Sequence, residues 1–264
     1  MWQESEDGIG DLLRCELPQL AKGSLAEPEP VNGDWWAKNR ILISPNPLGR
    51  EDLFAIASAA RESGDDAHLL QLFWHMLAWG VMGNFRNAPR IVRAAKDDAG
   101  RTHLLAALRP AAAASYQGNI DDAYCAFLNH KISRLDYAFF TKFLYFTGDR
   151  SSGGARCLIL DDRVDTALFT ITGHSYLPEG ARRAKAYAQY CGDVYRWSAA
   201  YGVEPDRIEW RLYRFGQLTE RRWQWLSAEV SLYPRGSDTR DFRRDCRTCG
   251  EPSCHYLLAW PIYR

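Results

Sequence analysis

Two stretches constrain this chain more than anything in its composition: "DDAHLLQLFWHMLAWG" (65–80) and "AFFTKFLYFTGD" (138–149). Each has helical length, and beyond a polar start each is apolar on nearly every side. A helix that is apolar all round must be buried all round, so it needs several helical neighbours. Candidates for those neighbours run along the whole chain. "SPNPLGREDLFAIASAARESG" (44–64) reads as a turn followed by an amphipathic helix ended by Gly64. Helical patterns recur near 88–98 and 101–115. "NIDDAYCAFLNHKI" (119–132) starts with Asn119 as N-cap and carries Asp121 and Asp122 in a first turn, where the helix dipole favours acids. A short turn (133–136) leads into the second apolar helix, expected to run from 137 to about 147. "ARCLILDDRVDTALFTI" opens apolar and turns helical at its two aspartates. Helices over 179–202 and 205–216 are separated by Gly202, with Pro205 at a first-turn position. Period-two strands are scarce and no solenoid repeat is present. The fold class expected is mainly α, as one large domain or two subdomains around a cleft.

Composition narrows the function. No apolar run reaches the roughly 18 residues of a membrane span, and the acidic start "MWQESEDGIGDLL" lacks the order of a signal peptide. Seven scattered cysteines fit reduced thiols, so a cytoplasmic location is expected. Net charge is zero, but unevenly spread. Residues 1–180 hold 18 Lys+Arg against 23 Asp+Glu, and residues 181–264 hold 15 against 10. A basic second half suits a polyanionic partner, and it equally suits a solvated surface of paired arginines. Ten tryptophans serve either as core packing or as flat faces for stacking a base.

Lys142 is the one charge inside "AFFTKFLYF", where burying an ammonium is costly. Nineteen residues later the apolar "LIL" delivers Asp161, with Asp162 beside it, at a helix start. An amine and a carboxylate are the two groups needed to cleave an N-glycosidic bond. The carboxylate stabilises positive charge growing on the sugar as the base leaves. A lysine whose pKa is lowered by desolvation can attack the sugar carbon and form a Schiff base. The helices at 119–132 and 137–147 also make a helix-hairpin-helix candidate, able to offer backbone N–H groups to a phosphate.

"FFTKFLYF" followed by "LILDDRV" resembles the 8-oxoguanine DNA glycosylase-like bacterial branch of the helix-hairpin-helix DNA glycosylases. "WGVMGNFRN" (79–87), "SPNPLGREDLFAIA" and "YGVEPDRIEWRLYRFG" (201–216) are similar to further motifs of that branch, and the likeness spans roughly 40–216. The resemblance implies two helical lobes gripping double-stranded DNA, with a modified base flipped out of the stack. It implies Lys142 and Asp161 as the catalytic pair, with Asp162 adjacent and able to exchange roles. Trp79, Asn84 and Arg86 fall where relatives fill the gap left by the flipped nucleotide, though a helix end packed on the core explains them equally. The usual hairpin glycines are missing from "SRLDYAFF", which leaves Arg134 as a side-chain phosphate contact; Arg163 is a second phosphate candidate.

"CRTCGEPSCH" places Cys246, Cys249, Cys254 and His255 at metal-like spacing, and a Zn²⁺ site is weighed there against unliganded thiols. It departs from the C-x6-C-x2-C-x5-C iron–sulfur loop of some relatives, because Thr239 stands where the first cysteine belongs. No cofactor and no obligate protein partner are expected. The chain divides into an irregular N-terminal arm (1–40) pinned by Trp35 and Trp36, a core (41–216) and a basic extension (217–264). The function expected is a DNA N-glycosylase leaving an abasic site, with possible AP lyase activity. The extra aromatic and basic sequence at both ends, with the family analogy, points to hypermodified phage cytosine in anti-phage defence. The alternatives are 8-oxoguanine base-excision repair and a non-catalytic DNA-binding protein.

Overall fold

A computed structural model describes residues 2–15, 25, 27–81, 85, 87–151, 153–178 and 180–232, apart from the side chains of 2–7, 181 and 220–232. The described residues hold eleven α-helices and no strand. These are α1 (Trp2–Arg14), α2 (Gly33–Lys38), α3 (Arg50–Ser63), α4 (Asp66–Val81), α5 (Ala88–Ala94), α6 (Asp98–Tyr116), α7 (Ile120–Asn129), α8 (Tyr137–Thr147), α9 (Asp162–Thr172), α10 (Arg183–Tyr201) and α11 (Pro205–Leu232). Met1–Arg221 forms one compact unit and Arg222–Arg264 another. The mainly α expectation holds, and no described helix is long and apolar enough to cross a membrane.

The two all-apolar segments lie where their composition requires. α8 packs against α3, α4, α6 and α7, and buries Phe140, Thr141, Phe143, Leu144, Tyr145 and Phe146. Around it runs an aromatic lattice: Phe127 stacks on Phe140 at 4.9 Å, and Trp79 meets Phe146 edge-on at 5.5 Å. α4 buries Leu72, Phe73, Met76, Leu77, Ala78 and Trp79. Its His75 is bonded within the core, to the Gln71 carbonyl at 2.7 Å and to Ser44.

Three boundaries differ from expectation, each for a physical reason. Residues 2–14 are helical rather than an irregular arm. α1 packs on α9 and α10, burying Ile9 and Leu12, while Arg211 donates to the carbonyls of Leu12, Leu13 and Cys15 at its C-terminal end. Those contacts are all long-range, so the acidic, glycine-containing sequence does not announce them. The hairpin turn is longer than expected, because α7 ends at Asn129 and His130 leaves the helical region with φ −119° and ψ 71°. α11 continues past residue 216 to Leu232, since no proline interrupts it before Pro234. The 216/217 boundary therefore falls inside a helix. As expected of the arm's anchors, Trp36 is fully buried, and Trp35 stacks on Phe85 at 4.6 Å.

Candidate active site

The segment before Asp161 is the unusual piece. Cys157, Leu158, Ile159 and Leu160 are buried, yet form neither helix nor strand. Buried backbone polar groups need partners, and hydroxyl side chains supply them. Tyr187 donates to the Leu158 carbonyl at 2.7 Å and Tyr190 to the Ile159 carbonyl at 2.8 Å. Thr141 Oγ1 accepts from the Leu160 N–H at 3.2 Å and lies 3.0 Å from its carbonyl and 2.7 Å from that of Tyr137. An extended segment thus threads the helical core and emerges at the start of α9.

There Asp161 serves as the N-cap. Its Oδ1 accepts from the N–H groups of Arg163 and Val164, both at 3.0 Å. Its Oδ2 faces Lys142 Nζ across 4.0 Å, with side-chain exposures of 16% and 12%. One oxygen fixes the helix start, and the other looks at the amine without bonding it. Lys142 Nζ donates to the Ala138 carbonyl of its own helix and lies 5.8 Å from the Phe139 ring centre. Burial holds this amine below the ordinary lysine value. Asp161 and Glu209 pull it back up, and Arg50 and Arg163 push it further down.

Asp161 and Asp162 are placed differently. Asp162 is exposed and accepts from the Tyr137 hydroxyl, away from the amine. Arg163 donates to the Tyr213 hydroxyl at 2.7 Å, and its guanidinium lies 5.3 Å from that ring. Trp79 is buried at 8% exposure between Phe146 and the Arg50 guanidinium. Arg134 is exposed in the hairpin turn with φ +67°, the left-handed conformation that favours glycine. Asn84, Arg86, Cys246, Cys249, Cys254 and His255 lie outside the described residues. Among the described residues no group of three His, Cys, Asp or Glu side chains could hold a metal ion.

Four residues of this site escaped sequence reasoning. A Cβ at Gly80 would stand 3.3 Å from Lys142 Cδ and 3.5 Å from the Phe139 ring, so the missing side chain is the space the lysine stem fills. A Cβ at Gly216 would stand 2.1 Å from the Arg163 carbonyl oxygen, so α11 sits directly on the first turn of α9. Both glycines lie inside stretches that carry the family likeness, which was the available signal. Arg50 and Glu209 form a buried ion pair at 3.2 Å, side chains 9% and 2% exposed. Arg50 also donates to the Tyr145 hydroxyl at 3.0 Å and lies 5.1 Å from that ring. Burial pushes the Glu209 carboxyl up to about 7 against the pull of Arg50, while Glu209 and Tyr145 hold the guanidinium charged.

The model of the family described as "Putative 8-oxoguanine DNA glycosylase OGG-like protein" matches residues 23–213, well over half the chain. No curated protein and no solved structure matches. The chain thus belongs to the OGG-like family, which carries a DNA glycosylase type of function with DNA as its substrate.

Proposed function

We propose that this protein is a DNA N-glycosylase whose catalytic residues are Lys142 and Asp161. The observation that carries the reading is the 4.0 Å approach of Lys142 Nζ to Asp161 Oδ2, in a site largely closed to water. As the bond from sugar to base lengthens, positive charge grows on the sugar, and the Asp161 carboxylate stabilises it. The free amine of Lys142 adds to C1′ as the base leaves with the bonding electrons. Loss of the amine proton and opening of the sugar ring then give a Schiff base, and this intermediate underlies an AP lyase step. In the alternative course Lys142 stays charged and water attacks. Asp162 and Trp79 have supporting places in this reading, Asp162 by fixing Tyr137 and Trp79 by packing between Phe146 and Arg50 beside Gly80. Arg134 and Arg163 are its phosphate contacts, and the DNA is met in the cytoplasm.

The target favoured is a hypermodified phage cytosine of the glucosylated hydroxymethylcytosine type, which makes the role anti-phage defence. The aromatic and basic sequence after the family match, residues 214–264, supports it, since a bulkier base needs more surface. The description of the family itself favours a second reading, removal of 8-oxoguanine. One experiment separates them: wild type and Asp161→Asn are incubated with glucosylated phage DNA and with an 8-oxoguanine duplex, and abasic sites and released bases are measured. Wild type is expected to release base from the phage DNA, and Asp161→Asn to lose at least a hundredfold in rate. Equal behaviour of the two proteins on every DNA would overturn the glycosylase reading.

A further inference from the structure

The buried pair Arg50–Glu209 lies behind Lys142 and has no part in the chemistry above. Four elements converge there. Arg50 is the first residue of α3, and its guanidinium sits between the rings of Trp79 from α4 and Tyr145 from α8, at 5.5 and 5.1 Å. Gly80, next to Trp79, is the residue against which the Lys142 stem rests. Tyr145 stands one turn beyond Lys142 on the same helix. Glu209, from α11, accepts from Arg50 at 3.2 Å. Tyr145 in turn donates to Asp206 at 2.9 Å, and Arg150 also bonds Asp206.

A cation sealed this close to a second cation would drive off the proton of Lys142, because fields are weakly screened in a buried site. We propose that Glu209 is a positioning residue for the reaction: it cancels the Arg50 field at Lys142, so that the amine can alternate between its ammonium and free forms during turnover. The proposal rests on the reading of Lys142 as an amine nucleophile. Asp161 lies 4.0 Å from the Lys142 amine, and the further charges whose fields reach it are Arg163 from the start of α9, Arg50 from α3 and Glu209 from α11. Those facing Glu209 are Arg50, Asp206 and Asp161. Removing Glu209 leaves Arg50 unopposed and favours the free amine. Removing Arg50 leaves Glu209 unopposed and favours the ammonium. The two changes therefore act with opposite sign.

The test uses the full chain and a synthetic duplex carrying one abasic site, with borohydride present. The free amine adds to the C1′ aldehyde of the opened sugar and water leaves. Borohydride then delivers hydride to the iminium carbon, giving a stable secondary amine. The rate of adduct formation is measured against pH. Glu209→Gln is expected to move the midpoint of the acidic limb down by about one pH unit, and Arg50→Met to move it up. In Arg50→Met an unbranched apolar side chain fills the place of the guanidinium between Trp79 and Tyr145, which keeps one arm of the test foldable. Arg50→Met combined with Glu209→Gln is expected to restore the wild-type midpoint. Circular dichroism melts verify that each variant is folded at the assay temperature. A midpoint unchanged in folded Glu209→Gln or Arg50→Met, or moved the same way in both, overturns the proposal alone. No adduct with wild type removes the nucleophile reading, and this proposal with it.

Discussion

Lys142–Asp161 and Arg50–Glu209 are both cation–carboxylate pairs in one helical core, and they are built in opposite ways. Arg50–Glu209 is closed: a hydrogen-bonded contact of 3.2 Å, a second bond from Arg50 to Tyr145, and rings on both sides of the guanidinium. Lys142–Asp161 is open. The groups face each other at 4.0 Å, and each has spent one hydrogen-bonding function elsewhere, on Ala138 and on the first turn of α9. A satisfied buried pair fixes structure, while a pair held apart keeps its groups available for a third molecule. The difference also follows side-chain chemistry. Arginine stays charged and bonds several partners at once, whereas lysine is a single point charge whose proton burial can loosen.

That contrast can be broken at either pair. The largest effect is expected from Arg50→Ala, which strands the Glu209 carboxyl and empties the space between Trp79 and Tyr145. A loss of about 3–5 kcal/mol should appear as a lower midpoint in urea unfolding. Next comes Thr141→Val, which keeps the shape but leaves the Leu160 N–H without its acceptor. About 1–3 kcal/mol should be lost, with adduct formation on abasic DNA falling further than stability alone explains, and Thr141→Ser should restore both. Lys142→Met should have the opposite sign. Folding disfavours the lysine charge, so the methionine variant should be more stable at neutral pH by about 1 kcal/mol while losing adduct formation. Its advantage is greatest at low pH, where the buried lysine must carry charge. It fades as pH rises through the depressed folded value toward the ordinary 10.5. Melting both proteins across that range checks the sign. Smallest is Arg134→Gly, which relieves the left-handed turn residue and should stabilise by about 1 kcal/mol or less. If Arg134 touches phosphate, the same change should reduce the salt dependence of DNA binding.

The open pair was legible in the sequence and the closed one was not. Lys142 stands out because a lone charge in an apolar helix is a local anomaly, and the "LIL" before Asp161 signals a buried lead-in. The helices marked by a cap or by an unbroken apolar run, α3, α4 and α9, are readable for the same local reason. Arg50 and Glu209 lie 159 residues apart, each ordinary in its own helix, and only the fold brings them together. α1 escaped for a similar cause: its stability comes from α9, α10 and Arg211 rather than from its own composition. The hydroxyls of Tyr187 and Tyr190 could not be matched in advance to the carbonyls of Leu158 and Ile159, since nothing local marks which tyrosine reaches the extended segment.

Thr141 and Leu160 are the immediate chain neighbours of Lys142 and Asp161, and they are bonded to each other. That bond closes a ring in the chain, with the amine and the acid at its clasp and residues 148–151 and 153–156 at its far side. Gly153 and Gly154 are exposed there, with nothing within 4 Å of where a Cβ would stand. The nineteen-residue interval between Lys142 and Asp161 therefore sets no distance in the active site. A chain lengthened at those glycines is expected to keep the gap between the amine and the acid.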